Sequence, residues 1–394
     1  MLTDRDWIVF SDDWGRNPSS CQHIVRRLLR RNRVLWAETI GMRAPAPTLR
    51  DARRAIEKLA SWALPARGGA GEKETGLAVV SPKSLPYNHV PLVRRLNAAI
   101  MRRDVLRAAR RLGMARPIVV TTFPNTADLV GALGESLHVY YCVDDFTRWP
   151  GVRGEVIARM EDDLLRRCDL VLATSEALVE GKRRAGVEPY LLEHGVDYEH
   201  FAAARVTEET SSAPSPERTP VVGFFGCLSP WLDYELIVRA ASLRPGWKFV
   251  FVGPADTDVS ALAALPNVRL VGPVPYERLP EQAAAFDAAI IPFRVDDLTR
   301  SVNPVKLLEY LACGLPVVST WMPAVERLGD AVAIARGSEE FVARLDEALR
   351  GDSPERRRAR REIARLRSWT VVAERFSELV ETRLEKKRLE GGGP

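Results

Sequence analysis

Two doubly wound α/β domains in tandem are what this sequence predicts, and three observations predict them. Short apolar, β-favouring runs alternate with amphipathic helical patterns. The alternation breaks once, in a stretch rich in Ser, Thr, Pro and Glu, and then restarts. The runs are apolar throughout, with no alternation of polar and apolar residues. A parallel sheet covered by helices on both sides leaves neither strand face to water, which accounts for the third feature.

The strand runs of the first domain are WIVF (7–10), VLWAE (34–38), LAVV (77–80), IVVTT (118–122), HVYYCV (138–143), LVLAT (170–174) and YLLE (190–193). Those of the second are VVGFF (221–225), KFVFVG (248–253), VRLVG (268–272), AAIIPF (288–293), PVVST (316–320) and AVAIA (331–335). Between them, AAARVTEETSSAPSPERTP (202–220) has one large apolar residue and reads as an interdomain linker. The expected organisation is a first domain over 1–201, a linker over 202–219 and a second domain over 220–368. A C-terminal helix over 369–394 is expected to cross back to the first domain. The tail from Arg356 to Lys387 reads as two helices separated by a Ser/Trp break.

Composition excludes several classes. With 394 residues, 46% hydrophobic and 28% charged, the chain has material for two or three cores and is neither disordered, collagenous nor a multi-span membrane protein. Cys21, Cys142, Cys168, Cys227 and Cys313 form no CxxC pair, so neither a zinc ribbon nor a disulfide framework is expected. The start, MLTDRDWIVF, lacks the basic and apolar regions of a signal peptide, and no uncharged apolar run approaches the ~18 residues of a spanning helix. The expected location is cytoplasmic.

The net charge of +5 is unevenly spread: residues 1–120 hold 23 Lys/Arg against 10 Asp/Glu, whereas 121–200 hold 8 against 15. A basic first third suits an anionic partner. Within it, PLVRRLNAAIMRRDVLRAARRLG (91–113) places Leu92, Leu96 and Ile100 at helical spacing among seven arginines. Such a helix suits an anionic membrane leaflet, or is a solvated helix packed on its own sheet.

The richest stretch is SVNPVKLLEYLACGLPVVST (301–320). Asn303 suits an N-cap and Pro304 the first helical position, which puts Lys306 in the first turn and Glu309 one turn on, near one face. A helix N-terminus with an added lysine fits a diphosphate, and a carboxylate one turn away can accept from a ribose diol. A capped helix with a surface Lys/Glu pair has the same spacing. Gly226, after the strand VVGFF, can let backbone N–H groups approach a phosphate, and Arg294 follows AAIIPF at its carboxyl end. In such sheets ligands bind beyond the carboxyl ends of the strands.

In the first domain, HVYYCVDDFTRWPG puts Asp144 and Asp145 just beyond a strand. Adjacent acids raise each other's pKa, which suits a base that takes an acceptor proton, and an Asx turn or N-cap accounts equally well for one of them. Gly15, in FSDDWGRNPSSCQH, can open the first loop to acceptor or donor phosphate, while Asp12 and Asp13 can cap the helix near Ser19. His194 and Asp197, in LLEHGVDYEHF, stand where the first domain is expected to end; His194 is either a cleft residue or a structural one. Asp256-Thr257-Asp258 reads as helix capping, and no metal is expected.

Over residues 221–335 specifically, and more loosely elsewhere, these motifs resemble GT-B glycosyltransferases of the family 4 and group 1 type, in which a helix ending in glutamate precedes a GxPVV strand. NPVKLLEYLACGLPVV is most similar to the subgroup containing the xanthan glucuronosyltransferase. The resemblance implies two Rossmann-like domains facing across a cleft, a UDP- or GDP-linked sugar as donor, and no cofactor. It also implies an acceptor hydroxyl on a saccharide or lipid-linked saccharide, with peripheral contact to an anionic membrane. Glu309 takes the position of the ribose-contacting glutamate. Ser301 stands where the family usually has a second glutamate, so the donor-hexose contact is absent or comes from Asp296 or Asp297. The Arg/Lys pair after the glycine-rich loop GFFGCLSPWLDYELI is missing, leaving Lys306 and Arg294 as the positive charge. Two other readings stay open: a nucleotide-sugar epimerase of the same fold, and a nucleic-acid-binding protein using ERRRARREIARLR and RRLLRRNR. The basic runs lack interleaved aromatics, so no nucleic acid is expected.

Overall fold

The computed structural model describes residues 1–16, 18–39, 74–83, 85, 87–149, 151–183, 187–203 and 218–390. They form two compact units, Met1–Leu192 with Ala373–Pro394, and Glu193–Val372. Most of the expected linker, 204–217, lies outside the described residues.

The first unit holds a seven-stranded sheet of β1 (Asp6–Ser11), β2 (Arg33–Glu38), β3 (Leu77–Val80), β4 (Ile118–Thr121), β5 (Leu137–Cys142), β6 (Leu170–Ala173) and β7 (Tyr190–Leu191). Their order is β3-β2-β1-β4-β5-β6-β7, with every pairing parallel. The central strands are buried on both faces: Trp7, Ile8, Val9 and Phe10 have no exposed surface, nor have Tyr140, Tyr141 and Cys142. On one face, Ile8, Phe10, Leu35 and Val119 pack against Met101, Val105 and Ala109 of the Pro91–Arg111 helix.

The helix packs on its own sheet, one of the two readings of its sequence, by a face other than that of Leu92 and Leu96. Its buried stripe is Asn97, Met101, Val105 and Ala109, a strict i,i+4 series, so Leu92 and Leu96 lie outside it, 76% and 49% exposed. Asn97 joins the stripe because its side chain is used up locally, accepting from the Leu85 amide at 2.8 Å and donating to the Leu85 carbonyl at 2.8 Å. The apolar residues noted in the sequence and the packed residues are therefore different faces.

The second unit holds a six-stranded sheet of β8 (Val221–Phe225), β9 (Lys248–Val252), β10 (Val268–Gly272), β11 (Ala288–Ile291), β12 (Val317–Thr320) and β13 (Ala333–Ala335), ordered β10-β9-β8-β11-β12-β13 and again wholly parallel. Both orders reverse beside the first strand, the switch point where doubly wound sheets bind ligands. The fold is thus α/β with two doubly wound sheets, as expected.

The segment expected to close the first domain groups with the second unit. Val196 bridges to Ser368, and the Trp369 amide donates to the Val196 carbonyl at 3.0 Å. Gly195 permits this approach, since a Cβ there would fall 2.9 Å from the Trp369 ring. His194 and Asp197 accordingly belong to Glu193–Val372 and not to the end of the first unit. The tail forms helices Pro354–Arg365 and Trp369–Glu390, divided at Leu366–Ser368. Beyond Ala373 the last helix packs within the first unit: Phe376 meets Trp7 at 5.9 Å, and Lys387 pairs with Asp169 at 2.7 Å.

Candidate functional site

The site of the second unit grows from the carboxyl ends of β8 and β11. Gly226 leaves β8 at φ +139, its amide donating to the Val252 carbonyl at 2.8 Å, so that N–H is spent within the fold. What the glycine supplies is room. A Cβ at 226 would fall 2.6 Å from Lys306 Cε, and the lysine side chain lies where any larger residue would be. Gly253, at φ +143, likewise lets the β9 end approach the Gly226 carbonyl.

Lys306 sits in the first turn of the Val305–Ala312 helix. Its Nζ stands 5.6 Å from the Phe224 ring and 5.5 Å from that of Phe293, the residues flanking the ends of β8 and β11. These contacts stabilise a cation without neutralising it. Among the described residues no carboxylate comes within ion-pair distance, and burial pulls the ammonium below the usual lysine range. Glu309, one turn on, is 8% exposed. Burial raises its carboxyl to about 7, against the opposing pull of Lys306 and with an upward push from Asp197. Tyr310 fixes the helix to the sheet: its hydroxyl accepts from the Phe225 amide at 2.9 Å, and its ring meets that of Phe225 at 4.5 Å.

Two features of the neighbouring turn correct the sequence reading. Asn303 is not the N-cap. Pro304 takes that position with an extended ψ of 106°, its carbonyl accepting from Leu307 N at 3.0 Å, and the helix starts at Val305. Proline can do this because a cap keeps non-helical ψ while its carbonyl accepts the first helical bond. Asp296 and Thr299 are paired with each other, the Thr299 amide donating to Asp296 Oδ1 at 2.9 Å and the Asp296 amide to Thr299 Oγ1 at 3.0 Å, so Asp296 serves the turn before Ser301. Arg294 is exposed; its Nε donates to the Leu232 carbonyl at 3.3 Å.

His194 is 8% exposed with its ring 6.4 Å from Trp369, and burial lowers it to about 4, so it is neutral at ordinary pH.

In the first unit the two adjacent acids separate by partner. Asp145 caps the short turn Phe146–Arg148, accepting from the Thr147 amide at 3.2 Å and from Arg148 Nε at 3.1 Å. Asp144 receives the Trp149 indole N–H at 2.9 Å and the Asp145 amide at 2.8 Å. Burial pushes its carboxyl above the usual aspartate range in spite of those bonds. Gly15 turns at φ +75 in open space, with its amide on Gln22 Oε1 at 3.1 Å. Ser19, and neither Asp12 nor Asp13, caps the Ser20–Leu28 helix; Asp12 instead accepts from the Ser19 hydroxyl at 3.0 Å and from Gln22 Nε2 at 3.1 Å.

Thus Gly226, Lys306 and Glu309 come together, joined by Phe224, Phe293 and Tyr310, which the sequence reading passed over. Each of the three aromatics stood at a legible position, at the end of a strand run or beside Glu309, but an aromatic there also suits a plain core.

Comparison with known proteins addresses the same stretch. Residues 219–350 match the family of glycosyl transferases group 1. This group 1 segment is a third of the chain and spans Gly226, Lys306 and Glu309. TuaH of Bacillus subtilis (strain 168), named for glycosyl transfer in teichuronic acid biosynthesis, is 32% identical over 56% of this chain and 58% of its own length. A GDP-mannose-dependent alpha-mannosyltransferase of Mycobacterium tuberculosis is 28% identical over 54% of this chain and 56% of its own. The chain therefore spans little more than half the length of the curated relatives it matches. Among solved structures, Anabaena Alr3699/HepE in complex with UDP-glucose superposes with a TM-score of 0.67 at 14% identity, covering 96% of this chain and 99% of that one. The catalytic domain of starch synthase IV from Arabidopsis thaliana, bound to ADP and acarbose, gives 0.65 at 11%, covering 98% and 100%. At these identities the likeness concerns the fold, and group 1 segment and fold agree.

Proposed function

We propose that this chain is a glycosyltransferase that moves a sugar from a UDP- or GDP-linked donor to an acceptor hydroxyl. The observation that carries the reading is Lys306, an ammonium stabilised by two rings and unpaired by any carboxylate among the described residues, in the first turn of a helix whose next turn presents the buried Glu309. Helix end and ammonium together suit a diphosphate, and they suit it more as negative charge builds up on the leaving phosphate. Glu309 suits the ribose diol, and Gly226 keeps the lysine in place. Asn303 and Arg294 border the same helix and strand end as further donor contacts.

Of the two adjacent acids, Asp144 is the proposed catalytic carboxylate: where configuration inverts, it accepts the acceptor hydroxyl's proton as the new glycosidic bond forms and the bond to the diphosphate breaks. Asp145 holds the turn. Gly15 and His194 remain proposed loop residues for acceptor or ligand, His194 as a neutral group.

A saccharide in polysaccharide assembly, of the xanthan-glucuronosyltransferase kind that NPVKLLEYLACGLPVV resembles, is the proposed acceptor class; the name of TuaH supports it. Lipid linkage and contact with an anionic membrane surface are supported by Leu92 and Leu96, exposed beside Arg95 on a helix that also carries Arg107, Arg110 and Arg111. Among the described residues no helix is long and apolar enough to cross a membrane. Sedimentation with phosphatidylglycerol vesicles at low salt, lost in a Leu92→Glu, Leu96→Glu double variant, is the expected result; failure of the parent protein to sediment removes the membrane from the proposal.

The central test is calorimetric titration of UDP, GDP and ADP into the protein and into Lys306→Ala. Selective binding of one diphosphate that collapses in the variant is expected. Binding of none, or binding indifferent to Lys306, overturns the donor site.

A further inference from the structure

The Val305–Ala312 helix carries Lys306 and Glu309, and burial shifts both towards their neutral forms. A helix of eight residues is marginal alone and takes its place from what it packs on. Tyr310 ties its middle to Phe225. Its carboxyl end is held by a charged cluster that the proposed reaction does not use. The chain leaves the helix through Gly314 at φ +75, where the Leu315 amide donates to the Tyr310 carbonyl at 3.0 Å and the Gly314 amide to the Leu311 carbonyl at 2.9 Å. These are the paired bonds of a Schellman stop. The Gly314 carbonyl itself accepts from two nitrogens of one guanidinium, Arg360 Nε at 3.0 Å and Nη2 at 2.8 Å.

Arg360 is anchored in turn. Asp352, between the Ser338–Arg350 and Pro354–Arg365 helices, pairs with Arg360 Nη2 and with Arg357 Nε, the latter at 2.6 Å. The side chains of Asp352, Arg360 and Arg357 are 6%, 8% and 12% exposed. Gly314 leaves room for the arginines, since a Cβ there would fall 3.1 Å from Arg361 Nε and 3.5 Å from Arg357 Cβ. All three arginines belong to ERRRARREIARLR, the run on which a nucleic-acid reading rests, yet Arg357 and Arg360 are spent inside the unit.

Two guanidiniums around one carboxylate leave a net positive charge at the negative end of the helix dipole. A planar fork that reaches a carbonyl and a carboxylate together has one pose. A buried ion pair is weak evidence for stability, since apolar residues of similar volume often serve as well or better. What this cluster supplies is direction. It sets where Gly314 stands along the helix axis, and the helix carries that setting to Lys306, about 12 Å away at ~1.5 Å per residue.

We propose that Arg360 and Asp352 are positioning residues for the donor: by fixing the carboxyl end of the Val305–Ala312 helix they set the reach of Lys306 from its first turn. This rests on the reading of Lys306 as the diphosphate contact. All of these residues lie in the second unit, so the effect is expected in donor affinity.

The test is calorimetric titration of UDP and GDP, up to millimolar concentration, into the full chain and its variants, with melting temperatures alongside. Arg360→Ala leaves a void and an unpaired carbonyl and is the variant most exposed to misfolding. The informative variant is Arg360→Lys, which keeps the charge beside Asp352 but loses the fork. Its affinity for the diphosphate that the parent binds is expected to fall about three- to thirtyfold, the range of coupling within one network. Asp352→Asn gives a smaller loss of the same kind. In a Lys306→Ala background, Arg360→Lys is expected to cost no more than about twofold, because the group it positions is gone. Parental affinity in Arg360→Lys, whatever its melting temperature, or a larger further loss in the Lys306→Ala background, overturns the positioning role and leaves the donor site standing. Binding indifferent to Lys306 overturns both.

Discussion

The loop after β5 and the helix after β11 present acids and bases in opposite conditions. Around Asp145 and Asp12 every oxygen has a local donor: amides, hydroxyls, Gln22 or Arg148. Around Lys306 and Glu309 no close ion pair among the described residues answers the charge, and the two act on each other only at a distance; the lysine lies against two aromatic rings and the glutamate is pushed towards neutrality by burial. Satisfied polar groups hold a fold together, whereas buried groups without partners are costly unless something else completes them. The contrast is the ground for reading Asp145 and Asp12 as structural and for the proposal that Lys306 and Glu309 meet a ligand. Asp144, bonded but still raised, falls between them.

The sharpest way to break this comparison is to treat the two adjacent aspartates alike. Asp144→Asn is expected to lower kcat by about 10²–10⁴, the usual worth of a general base, with little change in melting temperature. Asp145→Asn is expected to leave chemistry within a few fold and cost about 1 kcal/mol, the usual worth of a cap. Steady-state kinetics and thermal melts on both proteins decide it; equal losses of turnover would mean that partner count does not distinguish base from cap.

On the donor side, Lys306→Ala is expected to weaken nucleoside diphosphate binding by about 10–100-fold, from the loss of a charge-assisted bond of ~1.5–3 kcal/mol. Gly226→Ala puts a methyl against Lys306 Cε at a φ that disfavours alanine. The same loss of affinity is expected from it while the lysine itself is intact, with about 1–3 kcal/mol of stability lost to strain. If Gly226→Ala binds normally, the glycine only turns the chain.

These cases also show what could be read from the sequence. The fold was legible almost to the residue, because runs such as WIVF, HVYYC and AAII admit only strands covered on both sides. The Lys306/Glu309 pair was legible because one helical turn fixes its spacing. Three things were not. Whether Asn303 or Pro304 caps the helix depends on a single ψ angle, and both residues are acceptable there. The packed stripe of Pro91–Arg111 contains an asparagine that no apolar periodicity would select, so the spacing of Leu92 and Leu96 does not reveal the face that packs on the sheet. The Arg360–Gly314 contact joins residues 46 apart in the chain, from one helix to the end of another, and their meeting depends on tertiary packing.

The smallest expected effect, and the finest test of the contrast between answered and unanswered groups, is in the pH dependence of stability. Glu309 has its carboxyl raised from 4.5 to about 7, so between those values the folded state holds a proton that the unfolded chain has released. Stability from this group therefore falls as pH rises across 4.5–7 and is level above it. His194 is lowered from 6.5 to about 4, so in that window the unfolded chain holds the extra proton and stability rises with pH. The two windows overlap and their slopes oppose, so these two contributions nearly cancel between pH 4.5 and 6.5. Glu309→Gln removes one slope. Denaturant titrations at half-unit steps of pH are expected to show the variant gaining about 1–3 kcal/mol on the parent over that range, since one proton held by only one of the two states is worth ~1.4 kcal/mol for each pH step of one. They are also expected to show it more stable than the parent above pH 7. A nucleoside diphosphate should narrow that second difference, since a bound ribose supplies the hydrogen bonds that the ionised Glu309 otherwise lacks. A variant whose profile runs parallel to the parent's would mean that Glu309 is already paired in the folded protein, and the contrast with Asp145 would fail at its more important end.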